Sequence, residues 1–454
     1  MAIATVNPAT GATEREFAPI DDDELAWRLR RAADAFAEYR TTTFAERACW
    51  AISAAELLEG EVPDIAQVMT TEMGKTFASA KAEVAKCAIA LRWYAEHAED
   101  YLADEVIASS ASDSRVVYQP MGPVLAVMPW NFPMWQVIRF AAPALMAGNV
   151  GLLKHASNVP QTALIIEDLF RRAGFPAGVF QTLLIGSGTV DRVIEDPVVR
   201  AVTLTGSEAA GRSVAAAAGR AIKKSVLELG GSDPFIVLPS ADLERAISVA
   251  VTARVQNNGQ SCIAAKRFIV HADVYDRFEK GFVETMAGMT MGDPMNPATE
   301  VGPLATDAGR REVDELVRDA ADQGAAVLCG GAPSDGPGWY YPPTVLTGVT
   351  PAMRVAREEV FGPVAMLYRV DGVDEALAVA NDSDFGLGAS VWTNDPAEQA
   401  LAAQRLESGM VFVNAMVAST PELPFGGVKH SGFGRELSAH GIREFCDVKT
   451  VFTA

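Results

Sequence analysis

Between residues 21 and 102 apolar positions recur at helical spacing in a stretch of mostly Ala, Leu, Glu, Arg and Lys, which predicts three or four helices. Asp21 to Asp23 offer an N-cap and first-turn negative charge, as the positive end of a helix favours. Ahead of them a short entry strand ends in the turn Asn7-Pro8-Ala9-Thr10-Gly11. Beyond Arg115 the period changes. Short β-rich runs at 124–128, 150–154, 180–184, 199–205 and 225–229 alternate with helical stretches, and that alternation predicts a parallel, doubly wound sheet. A second α/β pattern occupies 234–413, with strands at 235–238, 267–270 and 364–368. The tail, 445–452, is β-branched and aromatic without an evident partner, so it is expected to be an edge strand that pairs across an oligomer interface.

Composition narrows the class. The 454 residues are 49% hydrophobic, ample for a large core, and length alone suggests roughly three domains. A formal net charge of −20 argues against non-specific binding to nucleic acid or an anionic membrane. An anionic substrate must then be drawn in by local positive groups. The start of the chain lacks a charged head followed by an apolar run, and the apolar stretch 141–153 is broken by Pro143, Gly148 and Gly151, so no membrane partner is expected. Five scattered cysteines with no Cys-x-x-Cys pair suggest neither a disulfide framework nor a zinc site, and a reduced cytoplasm fits best.

Candidate chemistry centres on Asn257-Asn258-Gly259-Gln260-Ser261-Cys262. A cysteine after a small, polar, Gly-containing turn can sit exposed at a cleft floor as a nucleophile, or it can be a buried small hydrophobe. Upstream, Leu227-Glu228-Leu229-Gly230-Gly231 sets a carboxylate between apolar neighbours, which raises its pKa toward that of a general base; a paired surface carboxylate is the plainer alternative. Gly186-Ser187-Gly188 is a weak dinucleotide fingerprint, because Asp191 stands where a small residue is needed. Thr205-Gly206-Ser207, between an apolar strand and an Ala-rich helix, is the better pyrophosphate site.

Read together, Pro129-Trp130-Asn131-Phe132-Pro133, Lys154, Glu228-Leu229-Gly230-Gly231, Gly259-Gln260-Ser261-Cys262, Glu359-Val360-Phe361-Gly362-Pro363 and Pro424-Phe425-Gly426-Gly427 resemble the aldehyde dehydrogenase superfamily. The resemblance implies an α/β, aldehyde dehydrogenase-like fold: a Rossmann-type cofactor domain (1–114 and 125–228), an α/β catalytic domain (229–430) and a small β oligomerisation element (115–124 and 431–454). A homodimer or homotetramer is expected from it. It also implies roles: Cys262 as thiolate nucleophile, Asn131 as oxyanion donor that would otherwise pass for a helix-capping amide, and Glu228 as the base that activates water. Trp130, Lys154, Ser157, Gly206, Ser207, Leu229, Glu359 and Phe361 would hold the cofactor, and no metal is implied. Serine at 157 stands where many NAD-preferring members carry a glutamate that repels a 2′-phosphate, so NADP is expected to be preferred and NAD used less well, although Ser157 also fits as a helix cap.

Arg139 lies four residues after Trp135 on one face of an apolar helix, so it must meet a carboxylate, supplied either by the protein or by the substrate. Its position resembles that of the carboxylate-binding arginine of succinate-semialdehyde dehydrogenases, as do 152–156 and 423–425, with Ser419 or Thr420 able to add a hydroxyl. Gln256 departs from relatives that place a second arginine there, and Ala264 departs from those with a second, switch-forming cysteine. The expectation is NADP-dependent oxidation of succinate semialdehyde to succinate. Dehydrogenation of another small aliphatic aldehyde, CoA-dependent acyl transfer and a silent structural relative are the alternatives.

Overall fold

The computed structural model describes residues 2–454. Five parallel strands, Pro123–Met128, Val150–His155, Phe180–Thr182, Ala201–Thr205 and Lys224–Glu228, stand in the spatial order fifth, fourth, first, second, third. In this order the direction in which successive strands are added reverses between the first and fourth strands, which opens a crevice at their carboxyl ends. Ala201–Thr205 and Val150–His155 are buried at every position, as strands covered on both faces must be. A short antiparallel strand, Gly432–Phe433, joins the sheet beside Glu228 and Leu227.

The second sheet has seven strands, ordered Ala326–Cys329, Thr344–Thr347, Val364–Val370, Arg267–His271, Pro234–Val237, Gly388–Trp392 and Met410–Val413. All pair in parallel except the Ala326–Cys329 edge. The architecture is therefore α/β, with two wound sheets.

Four helices, Asp22–Tyr39, Phe44–Gly60, Val62–Met73 and Phe77–Tyr101, precede the first sheet. Asp21 caps the first by accepting from the Glu24 N–H at 2.8 Å, and Thr43 with Glu46 forms a capping box on the second. The helix Trp135–Met146 is buried at every residue, apolar except for Gln136 and Arg139, and packs against Phe77–Tyr101. No side chain of its own caps its N-terminus. Instead Glu83, from Phe77–Tyr101, accepts from the backbone N–H groups of Met134 (2.9 Å) and Trp135 (2.8 Å), and its charge is matched by buried Lys75.

The tail differs from expectation. Cys446–Thr453 finds its partner within the chain, pairing antiparallel with Asp113–Pro120 from Cys446↔Pro120 to Thr453↔Asp113. It is the outer strand of a three-stranded sheet that ends in Glu105–Val106. Its partner was invisible locally because the two strands lie far apart in sequence. Two elements also cross the expected divisions: Pro123–Met128 starts the first sheet before residue 125, and Gly432–Phe433 belongs to that sheet. Among the described residues no helix is long and apolar enough to cross a membrane, and no group of three metal-ligating side chains is present.

Candidate active site

The carboxyl ends of the first sheet carry Trp130 and Asn131 after Met128, Ser157 after His155, Gly206 and Ser207 after Thr205, and Leu229 after Glu228. Facing them are segments that lead into strands of the second sheet: Cys262 before Arg267, and Glu359 with Phe361 before Val364. The two sides touch. Trp130 and Phe361 meet edge to face at 5.6 Å, the Gly231 N–H donates to Glu359 Oε1 at 3.1 Å, and Asn131 Nδ2 donates to the Gln260 carbonyl at 3.2 Å. His155, kept neutral by burial that lowers its pKa to about 4, donates from Nε2 to the Pro133 carbonyl at 2.8 Å and so fastens the Asn131 loop.

The cysteine loop is bent by three successive left-handed residues, Asn257 (φ 55°), Asn258 (φ 58°) and Gly259 (φ 75°). Asparagine tolerates this region better than most residues, and at Gly259 a side chain would run into the Gly362 carbonyl. Side-chain bonds hold the bend: Asn257 Nδ2 donates to the Asn131 carbonyl at 2.7 Å, and Asn258 Nδ2 to those of Gly74 (2.9 Å) and Pro303 (3.0 Å). Buried Lys266 donates to the carbonyls of Ser261 (3.0 Å) and Cys262 (2.8 Å) and pairs with Glu359 at 3.3 Å. Cys262 is left half-buried, and burial pushes its thiol up to about 12 despite the nearby charges of Arg139 and Lys266. At neutral pH it is a thiol that needs a proton acceptor.

Asn131 spends one amide N–H on Gln260 and keeps a second, so it retains a donor beside the loop. Glu228, the last residue of its strand, is 2% exposed, and neither carboxylate oxygen has a hydrogen-bond partner. Burial first, then the charge of Glu436, raises its pKa well above the ordinary range, while Arg139 and Arg435 act in the other direction. Of the two carboxylates open to Arg139, the fold supplies an internal one: its Nε pairs with Glu436, which is as buried as the arginine. Nη2 reaches Thr205 Oγ1 at 3.3 Å, and the guanidinium lies 4.5 Å over the Phe425 ring.

Cys262 opens on a cavity of about 110 Å³ lined also by Phe132, Trp135, Arg139, Gln256, Ser419 and Lys86. Thr420 and Glu228 stand outside that lining. Lys86 donates to Ser419 Oγ at 2.7 Å and sits 4.0 Å over the Trp135 ring, and Trp135 Nε1 donates to the same oxygen at 3.1 Å. Sequence reasoning missed Lys86, Lys266, Glu83 and Glu436. The one signal for Lys86 was its i,i+3 spacing from Glu83, a carboxylate buried on the same helix.

On the cofactor side, Lys154 is buried near a strand end and burial alone lowers its pKa, with no carboxylate paired to it among the described residues. Ser207 caps the thirteen-residue helix Glu208–Arg220, and the Gly206 N–H is taken by the Glu228 carbonyl at 3.0 Å. Leu229 is buried with its N–H on the Ser431 carbonyl at 3.0 Å. At Gly230 any side chain would collide with the Glu359 carboxylate, so the backbone there is bare. A buried cation without a partner, a half-exposed serine three residues on, and a helix N-terminus fit a phosphorylated dinucleotide. A side chain at Gly186 or Gly188, by contrast, would meet nothing within 4 Å, so that turn is open.

Known proteins resemble this chain over its whole length. The model of the aldehyde dehydrogenase family matches residues 1–451. A Mycobacterium tuberculosis protein described as succinate-semialdehyde dehydrogenase [NADP(+)] 1 is 60% identical over 459 residues, covering 100% of both chains. A Mycobacterium avium succinate-semialdehyde dehydrogenase [NADP(+)] is 60% identical over 456 residues, covering 100% of this chain and 97% of that protein. The crystal structure of succinic semialdehyde dehydrogenase from Streptococcus pyogenes, in complex with NADP+, superposes with a TM-score of 0.97 at 38% identity over 99% of each chain. This chain belongs to the aldehyde dehydrogenase family.

Proposed function

We propose that this enzyme oxidises succinate semialdehyde to succinate with NADP as preferred cofactor. Full-length relatives at 60% identity bear that activity in their names. The observation that carries the reading is the cavity at Cys262, about 110 Å³ and lined by two cations in a chain of net charge −20. A small aldehyde with an anionic tail suits it better than an uncharged one. Trp135, Arg139 and Ser419 form the wall that receives the far end of the substrate, and Thr420 could join only by moving into the lining.

In the proposed mechanism Cys262 gives up its thiol proton to water and adds as the thiolate to the aldehyde carbon, and the oxyanion that forms is stabilised by Asn131 Nδ2 and the Cys262 backbone N–H, each such donor being worth roughly 2.7–4 kcal/mol of barrier. Bound NADP supplies the acceptor for the hydride lost from that carbon. Glu228 then takes a proton from the water that attacks the Cys262 thioester, which releases succinate and restores the thiol. Having this base favours hydrolysis over transfer to CoA. Trp130, Phe361, Glu359 and Leu229 shape the nicotinamide side, Gly206 and Ser207 the pyrophosphate, and Lys154 and Ser157 the adenosine 2′-phosphate.

The test is a matrix of succinate semialdehyde and butanal against NADP and NAD. Succinate semialdehyde with NADP should give the highest kcat/KM. Butanal exceeding it would favour the alternative of another small aliphatic aldehyde, and faster turnover with NAD would overturn the cofactor preference. Ser157→Glu should raise KM for NADP at least about tenfold while leaving NAD usable, because a carboxylate placed beside a phosphate is repelled. An unchanged NADP/NAD ratio would remove Ser157 from cofactor choice; it is no helix cap either, since the following helix Pro160–Arg172 starts at Val159 with no side-chain cap.

A homodimer or homotetramer is supported by the unpaired outer edge of Cys446–Thr453 with exposed Val448 and Phe452. Five free cysteines suit a reducing cytoplasm.

A further inference from the structure

An oxyanion donor lowers a barrier only when its N–H already points to where charge develops, so the loop that carries it must be held before substrate arrives. Asn131 stands on the turn 129–134, between the strand that ends at Met128 and the helix that begins at Trp135. Toward the cleft this turn is tied to the cysteine loop by Asn131 Nδ2 on the Gln260 carbonyl and Asn257 Nδ2 on the Asn131 carbonyl. Behind it, His155 holds the Pro133 carbonyl. The remaining ties come from the helix Phe77–Tyr101. Glu83 Oε1 accepts from the N–H groups of both Met134, at 2.9 Å, and Trp135, at 2.8 Å.

Glu83 Oε2 accepts from Lys75 Nζ, and both side chains are buried. The Lys75 ammonium also lies 4.2 Å over the ring of Phe132, the residue after Asn131. One ion pair therefore grips residues 132, 134 and 135. Lys75 belongs to the short turn between the helices Val62–Met73 and Phe77–Tyr101, and that turn is itself fixed. Its Gly74 carbonyl accepts from Asn258 Nδ2 at 2.9 Å, and at Gly74 (φ 81°) a side chain would meet the Pro303 carbonyl. The turn thus touches the cysteine loop and the Asn131 loop together. Stability alone does not account for the pair. Taking two charges out of water is costly, and an apolar pair of the same volume commonly serves the fold as well. Burial lowers the Lys75 pKa and Glu83 opposes that, so each charge depends on its partner. What the pair supplies beyond an apolar one is an acceptor for two helix N–H groups and a cation on a ring face.

From this placement we propose that Lys75 and Glu83 are positioning residues for the oxyanion hole, holding the turn 129–134 so that the Asn131 amide faces the carbon attacked by Cys262. Neither lines the cavity at Cys262, so both act through Asn131. The assignment rests on the functional reading above in one respect, the role of Asn131 as oxyanion donor.

The experiment is a cycle of substitutions read as the rate of NADPH formation in a single turnover, with enzyme in excess over succinate semialdehyde and NADP saturating. Lys75→Met and Glu83→Gln should each slow that rate at least about tenfold, with steady-state KM for the aldehyde and Kd for NADP within about threefold of wild type, as for a misplaced catalytic group. In an Asn131→Ala background the same substitutions should change the rate by less than about threefold, because the group they position is gone. Losses that multiply in the two backgrounds, or a wild-type rate in the single variants, overturn the assignment. The joint variant Lys75→Met with Glu83→Gln leaves no lone buried charge and guards against a folding failure of either alone. It should melt within a few degrees of wild type and keep the slow rate; a rate that recovers with the melting temperature would make the pair a stability device and overturn the proposal. A wild-type rate in Asn131→Ala alone would strike the oxyanion role, and the proposal with it, whereas a slow Asn131→Ala with multiplying losses strikes only the pair. Run on butanal, the same cycle should give the same pattern, so a failure of the substrate reading leaves it standing.

Discussion

Replacing Cys262 by alanine is expected to reduce aldehyde-dependent NADPH formation by about 10⁴-fold or more, the scale seen when a covalent nucleophile is removed. The substitution deletes only Sγ from a loop held by other groups. Asn257, Asn258 and Lys266 fasten the backbone, and none of these bonds uses the thiol. The fold should therefore survive, with a thermal midpoint within a few degrees of wild type and unimpaired retention of NADP. With the thiol gone no tetrahedral adduct forms, so Asn131 has no oxyanion to stabilise and Glu228 no thioester to clear. Following absorbance of NADPH over a panel of aldehydes checks this, and turnover within tenfold of wild type would remove Cys262 from the mechanism. The neutral thiol of the free protein adds a second expectation: alkylation of Cys262 by iodoacetamide should be slow at pH 7 and accelerate steadily into the alkaline range, since burial holds its pKa near 12.

The parts of the site that lie at strand ends were legible because a strand must stop somewhere recognisable. Runs of β-branched residues broken by Trp130-Asn131, by Gly206-Ser207 and by Leu229-Gly230-Gly231 marked the carboxyl edge of a parallel sheet, where ligands bind. Strand ends themselves were less legible. The run 199–205 is apolar throughout, yet the ladder begins only at Ala201, because Val199 is buried without pairing. What composition and spacing do not carry is the identity of a distant partner. That Arg139 needs a carboxylate follows from an arginine on a buried helix; that the carboxylate is Glu436 depends on a loop almost three hundred residues later. Lys86 was hidden for the same reason, being one lysine on a long amphipathic helix until the fold laid Trp135 and Ser419 against it. The tail strand pairs with Asp113–Pro120 by the same non-local logic.

Glu228→Gln should leave the first half of the reaction and stop the second. Mixing the variant with succinate semialdehyde and NADP is expected to give a burst of NADPH of about one equivalent per Cys262, followed by a steady state slower by roughly 10²–10⁴-fold, the usual contribution of a general base. Glutamine has nearly the shape of the carboxyl it replaces, and it removes a charge that burial and Glu436 already disfavour, so packing around Gly426 and Arg435 should hold. The pH profile follows from the direction of the shift. A carboxyl whose pKa is raised stays protonated over a wider acid range, and only the ionised form can accept a proton from water. Wild-type kcat should therefore fall as pH drops through a midpoint well above that of an ordinary glutamate, and the variant should lose that limb. Absence of a burst would make Glu228 the acceptor of the Cys262 proton instead, and an unchanged steady state would free it of any part in hydrolysis. A burst with a flat acid limb ties the raised pKa to one step, the entry of water, and makes the burial of Glu228, adjusted by the opposing charges of Glu436 and Arg139, what sets the pH at which that step turns on.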